Sequence, residues 1–344
     1  MGPALYVFAV DPITQSALGA ALPQSLARPE GLRRAGLVGA LGGFLPDADV
    51  LIRSPSDPLL FLDYHRQFTH SFAFIPLGGA ITAALCVLLL RGRARFRELW
   101  LPATLGWATH GLLDACTSYG TYLYWPFDLE RVAWHVISIV DPLFTLGLLA
   151  GVVLATRMRS RWPARFSLLF VCCYLAFCSL QVTRAQRVQD RLLTERGHQA
   201  LRGEVKPAIG NNIVFRSIYE SGGRYYSDAI RVSWFGATRV YPGDSQPIFS
   251  VQDFNSKHRL SALHRNDIER FRYFSADFVI EDPRYEGVLS DFRYAALPNA
   301  VAPLWGIDVL GTPAHQHLTF RHFRDIKPTD RKQFAAMLKG QPLP

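Results

Sequence analysis

The sequence predicts an all-α membrane bundle in residues 1–182, followed by a soluble α+β domain in residues 183–344. Long apolar runs occur before residue 182, whereas the rest of the chain is rich in Arg, Asp and Tyr, as soluble domains are. A length of 344 residues also suits two domains. In the first part, short arginine clusters separate the apolar runs, which is the pattern of membrane orientation signals.

The bundle is predicted to contain four spans preceded by a short helical hairpin, because a span needs about 20 apolar residues. The four predicted spans are residues 72–90, 99–118, 136–156 and 166–182. Residues 12–26 and 35–46 are rich in small residues and too short to span comfortably, so we expect them to form the hairpin. Glycines in the hairpin would allow close approach to other helices. They are Gly36, Gly39, Gly42 and Gly43.

The formal net charge is +9, and much of the excess lies in arginine clusters at 28–34, 91–97 and 157–165. These clusters alternate with arginine-poor links, so the positive-inside rule places them in the cytoplasm and the soluble domain outside it. A later group carries the opposite signal, since Arg184, Arg187 and Arg191 follow the last predicted span. Because topology explains the charge, we expect the lipid bilayer as a partner and no nucleic acid. The oligomeric state stays open.

Acidic and histidine side chains gather at the extracytoplasmic ends of these segments. Charge inside a membrane run costs about 2.5–3.5 kcal/mol per residue on insertion scales, so such residues are functional candidates. Structural polar residues would have no reason to share one side, and we therefore expect these to belong to one site. The residues are Asp11, Asp47, Asp49, His65, His70, His110, Asp114 and Asp141.

Two histidine motifs define the centre of this site. His110 and Asp114 lie four residues apart and therefore share one helical face. They can chelate one metal, the aspartate can orient the histidine, or the two can form a polar pair that stabilises the bundle. His65 and His70 converge only if His65 lies in a loop before a helix that begins near Thr69. On their own, two such histidines are more commonly solvated loop residues than metal ligands.

The other candidates also have two explanations each. Asp47 and Asp49 supply two carboxylates at alternate positions, or they are a solvated helix end. Oxygen and imidazole ligands without thiolate suit Zn, Mn or Fe in a reactive site. Arg66 either binds a phosphate or carboxylate or extends to the membrane interface. Asp11 and Asp141 each precede a proline, so each either caps a helix or takes part in catalysis.

In the soluble domain, alternation and periodicity predict a hairpin and several helices. His315 and His317 are predicted as surface residues. The predicted elements are a helix over 184–196, strands over 211–219 and 224–235, a helix over 256–273, a strand over 276–281 and a helix over 328–339.

Five motifs occur in an order and spacing that resemble a known family. They are Asp11-Pro-Ile-Thr-Gln15, Leu45-Pro-Asp-Ala-Asp49, His65-Arg-Gln-Phe-Thr-His-Ser71, His110-Gly-Leu-Leu-Asp-Ala-Cys-Thr117 with Tyr119-Gly-Thr121, and Asp141-Pro-Leu-Phe-Thr145. Together they are similar to the YdjM-like family of bacterial inner-membrane proteins, which are described as metal-dependent hydrolases. Phe271-Arg-Tyr-Phe-Ser275 and Asp282-Pro-Arg-Tyr285 resemble its long subgroup, which carries a C-terminal soluble domain.

The resemblance implies a multi-pass inner-membrane fold with a divalent metal, zinc being favoured over Mn or Fe. The family is often grouped with zinc phospholipase C and P1-type nucleases, which hydrolyse phosphoesters. Two residues depart from its pattern: Gln67 stands where Gly is usual, and Gln15 stands where short members have His, which would reduce the number of ligands. The ligands implied are Asp47, Asp49, His65, His70, His110 and Asp114.

These observations predict a membrane-embedded, metal-dependent hydrolase acting on a phosphoester of lipid or envelope origin at the extracytoplasmic face. Arg66 would neutralise an anionic group of the substrate, and Asp141 or Asp11 would act as a base or orient another residue. The alternative is a non-enzymatic membrane scaffold whose polar residues bind a structural metal or join helices. A transporter is a third possibility, although the sequence shows no inverted repeat.

Overall fold

A computed structural model describes residues 11–323 and 326–344, and it divides the chain into two compact units. The first unit contains residues up to Leu51, Tyr64–Leu180 and Ile209–Asn211. The second contains Ile52–Asp63, Gln181–Ala208 and Asn212–Pro344. The predicted division at residue 182 differs from this one mainly in residues 52–63. That segment joins Asp49 to His65 in the chain, yet it packs as part of the second unit.

Seven helices of the described residues precede the sheets. Asp11 and Asp141 cap α1 and α6 as their sequence pattern predicts, with a proline in the first turn of each helix. The last of the seven continues across the boundary between the units at residue 181. They are α1 (Pro12–Leu26), α2 (Leu32–Phe44), α3 (Leu60–Tyr64), α4 (Ile75–Leu89), α5 (Phe96–Ala115), α6 (Pro142–Arg157) and α7 (Trp162–Arg196).

Small residues let the backbones of α1, α2 and α5 approach closely, as the glycine pattern predicts. A Cβ atom on Gly39 would overlap the carbonyl oxygen of Gly19 on α1. On the other side, a Cβ atom on Gly106 of α5 would overlap the carbonyl oxygen of Gly39. Gly42 and Gly43 contact backbone atoms of α5 and α1 in the same way. The hairpin α1–α2 is therefore locked against α5 by backbone contact.

Two segments of the described chain are long and apolar enough to cross a membrane: Phe72–Leu89 and α7. Of the other two predicted spans, α6 has 16 residues and is short for a bilayer. α5 has 20 residues but carries Arg97, Glu98 and Asp114, which lower its hydropathy. The helical character of the N-terminal part is thus observed, while an arrangement with four spans stays a prediction.

The second unit contains two antiparallel four-stranded sheets, each with its strands in sequence order. The first sheet is β1 (Arg202–Pro207), β2 (Val214–Ser221), β3 (Arg224–Val232) and β4 (Thr238–Pro247). The second is β5 (Val279–Glu281), β6 (Val288–Asp291), β7 (Trp305–Asp308) and β8 (Thr319–His322). Its helices after β4 are α8 (Val251–His258), α9 (Ala262–Phe274) and α10 (Pro328–Lys339).

Both faces of the first sheet are buried, since alternate side chains of β2 point to opposite sides. Phe215 packs with Val182 and Val188 from the last turns of α7. On the opposite face, Val214 packs against Met337 of α10. Ile218, on the same face as Val214, joins a cluster with residues of the second sheet and the segment that precedes it. A sheet covered on both faces explains why β2 lacks exposed residues.

The predicted hairpin is confirmed by β2 and β3, and the predicted helix over residues 328–339 is confirmed by α10. The single helix predicted over 256–273 is wrong, because the chain breaks between α8 and α9 at Arg259, where φ is +47°. The surface prediction holds for His315, which is exposed, and in part for His317, which is half-buried and has Nδ1 2.9 Å from Asp267 Oδ1.

Segment 52–63 is held within the second unit by ion pairs and apolar contacts. The guanidinium of Arg270 lies 2.6 Å from Asp63 Oδ2 and 3.0 Å from Asp57 Oδ2. Its Nη1 also lies 3.0 Å from Asp267, three residues earlier on α9. The ring of Phe61 meets that of Phe320 edge-on, with centroids 5.2 Å apart. One arginine therefore balances three carboxylates, two of which belong to the segment.

Candidate metal centre

Three short pieces of chain bring the candidate residues together in the first unit. Asp47 and Asp49 lie in a 3₁₀ turn, Leu45–Leu51, which follows α2 directly. His70 ends a second 3₁₀ turn, Phe68–His70, and α5 supplies His110 and Asp114. The predicted helix start near Thr69 is replaced by these turns, with α4 beginning only at Ile75.

The second turn is attached firmly to α5. Trp107 Nε1 donates a hydrogen bond to the carbonyl of Thr69 at 2.8 Å. A Cβ atom on Gly111 would overlap the carbonyl oxygen of His70, so glycine is needed for this close approach. Arg66, at the start of the same loop, has φ of +63°, and its N–H donates to Asp49 Oδ2 at 2.9 Å. The histidine loop is thus set against both the helix and the aspartate turn.

Four buried side chains, Asp47, His70, His110 and Asp114, present ligand-type atoms to one point. His70 Nε2 lies 3.0 Å from His110 Nε2, 3.2 Å from Asp114 Oδ2 and 3.5 Å from Asp47 Oδ1. His110 Nε2 lies 3.4 Å from Asp47 Oδ1 and 3.8 Å from Asp114 Oδ2. These separations agree with the roughly 3.3–3.4 Å edge of a tetrahedral zinc whose bonds are about 2.0–2.1 Å.

The hydrogen bonding of these side chains fits a metal ion at that point. Asp47 Oδ1 and Asp114 Oδ2 are buried and accept no hydrogen bond of regular geometry from the described residues, although charged or imidazole nitrogens lie close to them, such as Arg66 Nε at 3.1 Å from Asp114 Oδ2. His110 Nδ1 lies 2.6 Å from the carbonyl oxygen of Gly43, to which only a protonated Nδ1 can donate. In the neutral form of this imidazole, Nε2 would carry a lone pair that faces the centre. Imidazoles held by a carbonyl on one nitrogen are typical of metal ligands.

A second group shares Asp47 with the first and consists of Asp47, Asp49 and His65. His65 Nδ1 lies 2.7 Å from Asp49 Oδ1, while its Nε2 is buried without a hydrogen-bond partner among the described residues. Asp49 Oδ2 accepts from the N–H of Arg66 and from Thr69 Oγ1, both at 2.9 Å. Since both oxygens of Asp49 are engaged, Asp47 and His65 remain the available ligands of this group.

Asp114 is surrounded by further polar groups that the sequence did not assign to it. Gln15 Nε2 on α1 donates to Asp114 Oδ1 at 2.9 Å, so the residue that departs from the family pattern still contacts the site. The Arg66 guanidinium is buried, with Nε 3.1 Å from Asp114 Oδ2 and Nη1 donating to Thr117 Oγ1 at 3.4 Å. An uncharged polar side chain within an apolar helix was the available signal for Gln15.

Burial and charge set the protonation of the centre. Burial alone would lower the pKa of His70, but the carboxylates of Asp114, Asp47 and Asp49 raise it to about 10. Burial would raise the pKa of Asp47, yet the charges of His110 and His70 hold it well below its usual range. A cation at this point is therefore favoured, whether it is a proton on His70 or a metal that replaces it.

The two proline-linked aspartates are engaged in capping. Asp11 Oδ1 accepts from the N–H of Ile13 at 3.1 Å. Asp141 Oδ1 accepts from the N–H of Phe144 at 3.1 Å, and its Oδ2 accepts from the hydroxyl of Tyr174 at 2.8 Å. The structure does not group either carboxylate with the histidines. Their capping is observed, and a catalytic role for them stays a prediction.

Comparison with known proteins agrees with this arrangement. The model of the family described as YdjM inner membrane protein matches residues 10–185, which include every candidate site residue. The chain belongs to this family. It is also 35% identical over 119 residues to the inner membrane protein YbcI of Escherichia coli K12, a match that covers 32% of this chain and 64% of that protein. No solved structure matches the chain.

Membership places the chain among inner membrane proteins, in agreement with its two apolar segments. The family model ends at residue 185, shortly after the last apolar stretch, so the match concerns the helical part and its buried His/Asp groups. Because the chain covers 64% of YbcI, the likeness does not extend to the whole of that protein.

Proposed function

We propose that this YdjM-family protein is a metal-dependent hydrolase of the bacterial inner membrane, with its site at the extracytoplasmic face. The observation that carries the proposal is the pair of adjacent ligand groups that share Asp47. Four protein atoms satisfy the first position, whereas Asp47 and His65 leave the second position with room for other ligands. Closed coordination is typical of structural metals, and open coordination is typical of catalytic ones.

The residues present suit zinc, with Mn or Fe as alternatives, because they offer imidazole and carboxylate without thiolate. When bound, a divalent ion polarises the scissile bond and lowers the pKa of a water molecule that it contacts. Asp49 holds His65 by its Nδ1 and so directs Nε2 towards the second position. Gln15 on α1 and Arg66 in the loop after α3 lie against the two oxygens of Asp114 and hold its carboxylate in place.

The proposed substrate is a phosphoester of lipid or cell-envelope origin. His70 lies two residues before the apolar segment that begins at Phe72, which supports a site at the level of the lipid headgroups. Arg66, which the sequence assigned to substrate binding, is buried and paired with Asp114. We therefore propose that Arg66 compensates the charge of Asp114, and that the attraction of an anionic substrate would come from a divalent ion held by Asp47 and His65.

A non-enzymatic scaffold remains the second candidate, and the closed group of four ligand atoms favours it. In that case, one structural metal would join α5 to the aspartate and histidine turns. The two candidates differ in what they require of His65, which lies outside the closed group. A structural metal needs His70, His110, Asp47 and Asp114 but not His65.

The experiment compares His65→Gln with Asp114→Asn in full-length, detergent-purified protein. Metal content, melting temperature and hydrolysis of a chromogenic phosphodiester are measured on the same preparations. We expect Asp114→Asn to lose metal and activity together, since it removes a buried charged ligand. His65→Gln should retain the metal of the closed group and its melting temperature while activity falls by more than about 100-fold. The matched control is His315→Gln, because His315 is exposed and outside both groups.

A scaffold gives a different pattern in the same measurements. Stoichiometric metal without phosphodiester hydrolysis in the unmodified protein would exclude this reaction and leave the structural role. Protein that binds no metal at saturating zinc, manganese or iron would contradict both proposals. Unchanged activity in His65→Gln would remove the second position from the mechanism.

A further inference from the structure

The place where α7 leaves the membrane is marked by its charges. Residues 166–183 of this helix contain no charged side chain, and at 1.5 Å per residue they are about 27 Å long. The hydrocarbon layer of a bilayer is about 30 Å thick, so these residues nearly fill it. If α7 crosses the bilayer along this stretch, Arg184, the first charged residue after it, would lie at the boundary between hydrocarbon and headgroups.

Arg184 also holds an aromatic loop of the second unit beside this position on α7. Its Nη1 donates to the carbonyl oxygens of Ser233 at 2.9 Å and Trp234 at 3.4 Å, and its Nη2 donates to that of Gly236 at 3.2 Å. The loop joins β3 to β4, and at its tip Phe235 is 91% exposed. Its neighbour Trp234 is 43% exposed. Exposed aromatic rings at this level are typical of membrane interfaces.

A basic groove lies beside this loop. It has a volume of about 480 Å³ and is lined by Arg184, Arg187, Asp190, Arg191 and Thr238. Arg187 and Arg191 are exposed and lie four residues apart, on one face of α7. Among the described residues neither makes an ion pair with a carboxylate. Three guanidinium groups and one carboxylate leave the groove positively charged.

We propose that this surface, formed by Arg184, Arg187 and Arg191 with the loop 233–236, binds the anionic phospholipid headgroups of the membrane that α7 crosses. The rings of Trp234 and Phe235 enter the interface, while the arginines extend to the phosphates. The surface directly continues the apolar stretch of α7. If that stretch crosses a bilayer, phospholipid headgroups always surround the surface, and lipid is therefore the proposed occupant. The surface docks the second unit on the bilayer independently of any catalytic activity.

The test uses the full-length protein in nanodiscs made of phosphatidylcholine alone or with phosphatidylglycerol. Hydrogen exchange of the backbone amides in residues 233–238 is measured in both. We expect exchange to be slower by about tenfold in the anionic lipid, and the double variant Arg187→Gln/Arg191→Gln should remove this difference. Arg331→Gln/Lys332→Gln is the matched control, since it removes the same charge from exposed positions on α10.

A second measurement follows insertion of the aromatic loop directly. In nanodiscs containing lipid brominated near the headgroup, unmodified protein should lose more tryptophan fluorescence than Trp234→Phe does. Equal exchange in both lipids, or slower exchange that persists in the Arg187→Gln/Arg191→Gln variant, would overturn the proposal. So would protection that depends on protein concentration in either lipid, because it would assign the surface to a second copy of the chain.

Discussion

Asp47 and Asp49 are separated by one residue, yet the fold surrounds their carboxylates differently. Asp47 Oδ1 faces His70 and His110 with no hydrogen-bond donor of its own. Asp49 receives three donors, from His65, the N–H of Arg66 and Thr69. The first arrangement suits a metal ligand, and the second suits a residue that orients a ligand.

Replacing each aspartate by asparagine should separate these roles. Asp49→Asn would place an amide N–H against one of three donors. The free energy of unfolding of the metal-free protein should therefore fall by about 1–3 kcal/mol, and its melting temperature should fall accordingly. Its zinc affinity should fall by about 10–100-fold. Asp47→Asn should lose more zinc affinity than Asp49→Asn does, because it removes a ligand rather than a residue that orients one. Zinc titration and thermal unfolding measure both quantities, and equal behaviour of the two variants would contradict the assignment.

The sequence predicted which residue types would gather, but not what each carboxylate would do. The different roles of Asp47 and Asp49 depend on hydrogen-bond donors that come from residues 65–69. The spacing of the two aspartates in the sequence does not predict which of them these donors reach. Gln15 shows the same limit, because its bond to Asp114 links α1 to α5 over 99 positions of sequence. The positions of His110 and Asp114 were predictable, since a four-residue separation fixes one helical face.

Among the helices, backbone contact in the α1–α2 hairpin holds Gln15 and the Gly43 carbonyl next to α5. Gly39→Ala should force α1 away from α2, because the added Cβ meets the carbonyl oxygen of Gly19. We expect a loss of about 1–3 kcal/mol in stability together with weaker zinc binding. Gly31→Ala is the control in the same hairpin, since nothing lies within 4 Å of its added Cβ. A stable Gly39→Ala protein with unchanged zinc affinity would show that this contact does not position the site.

Helix starts were more predictable than helix interruptions. Asp11 and Asp141 are caps followed by proline, and this local chemistry is visible in the sequence. The break at Arg259 was not visible, because arginine has no preference for positive φ and adopts it here at the C-cap of α8. The turns in the loop before α4 could not be predicted either, because they depend on contacts with Trp107 and Gly111 of α5.

At the scale of the whole molecule, Arg270 decides where segment 52–63 lies. Arg270→Gln should leave Asp57, Asp63 and Asp267 without their shared cation and free the segment from the second unit. We expect cleavage between residues 52 and 63 by added protease to accelerate at least about tenfold, because the ion pairs of Arg270 with Asp57 and Asp267 are largely buried and loss of one partner from a buried pair costs about 3–5 kcal/mol.

Arg272→Gln is the matched control for this variant, being two residues away on the same helix. Its carboxylate partners Glu269 and Asp277 are exposed, so its loss should cost about 0–1 kcal/mol and leave the cleavage rate unchanged. Identical proteolysis of both variants would show that apolar contacts such as Phe61 with Phe320 hold the segment without Arg270.

Segment 52–63 has a consequence for how such a protein is assembled from parts. Its two aspartates are encoded in the family-matched region, whereas the arginine that neutralises them is encoded more than 200 positions later. A shortened gene that stopped near residue 185 would produce a chain with Asp57 and Asp63 uncompensated between Asp49 and His65. The C-terminal domain with its two sheets is therefore not exchangeable by itself, because moving it between relatives would require segment 52–63 to be moved with it.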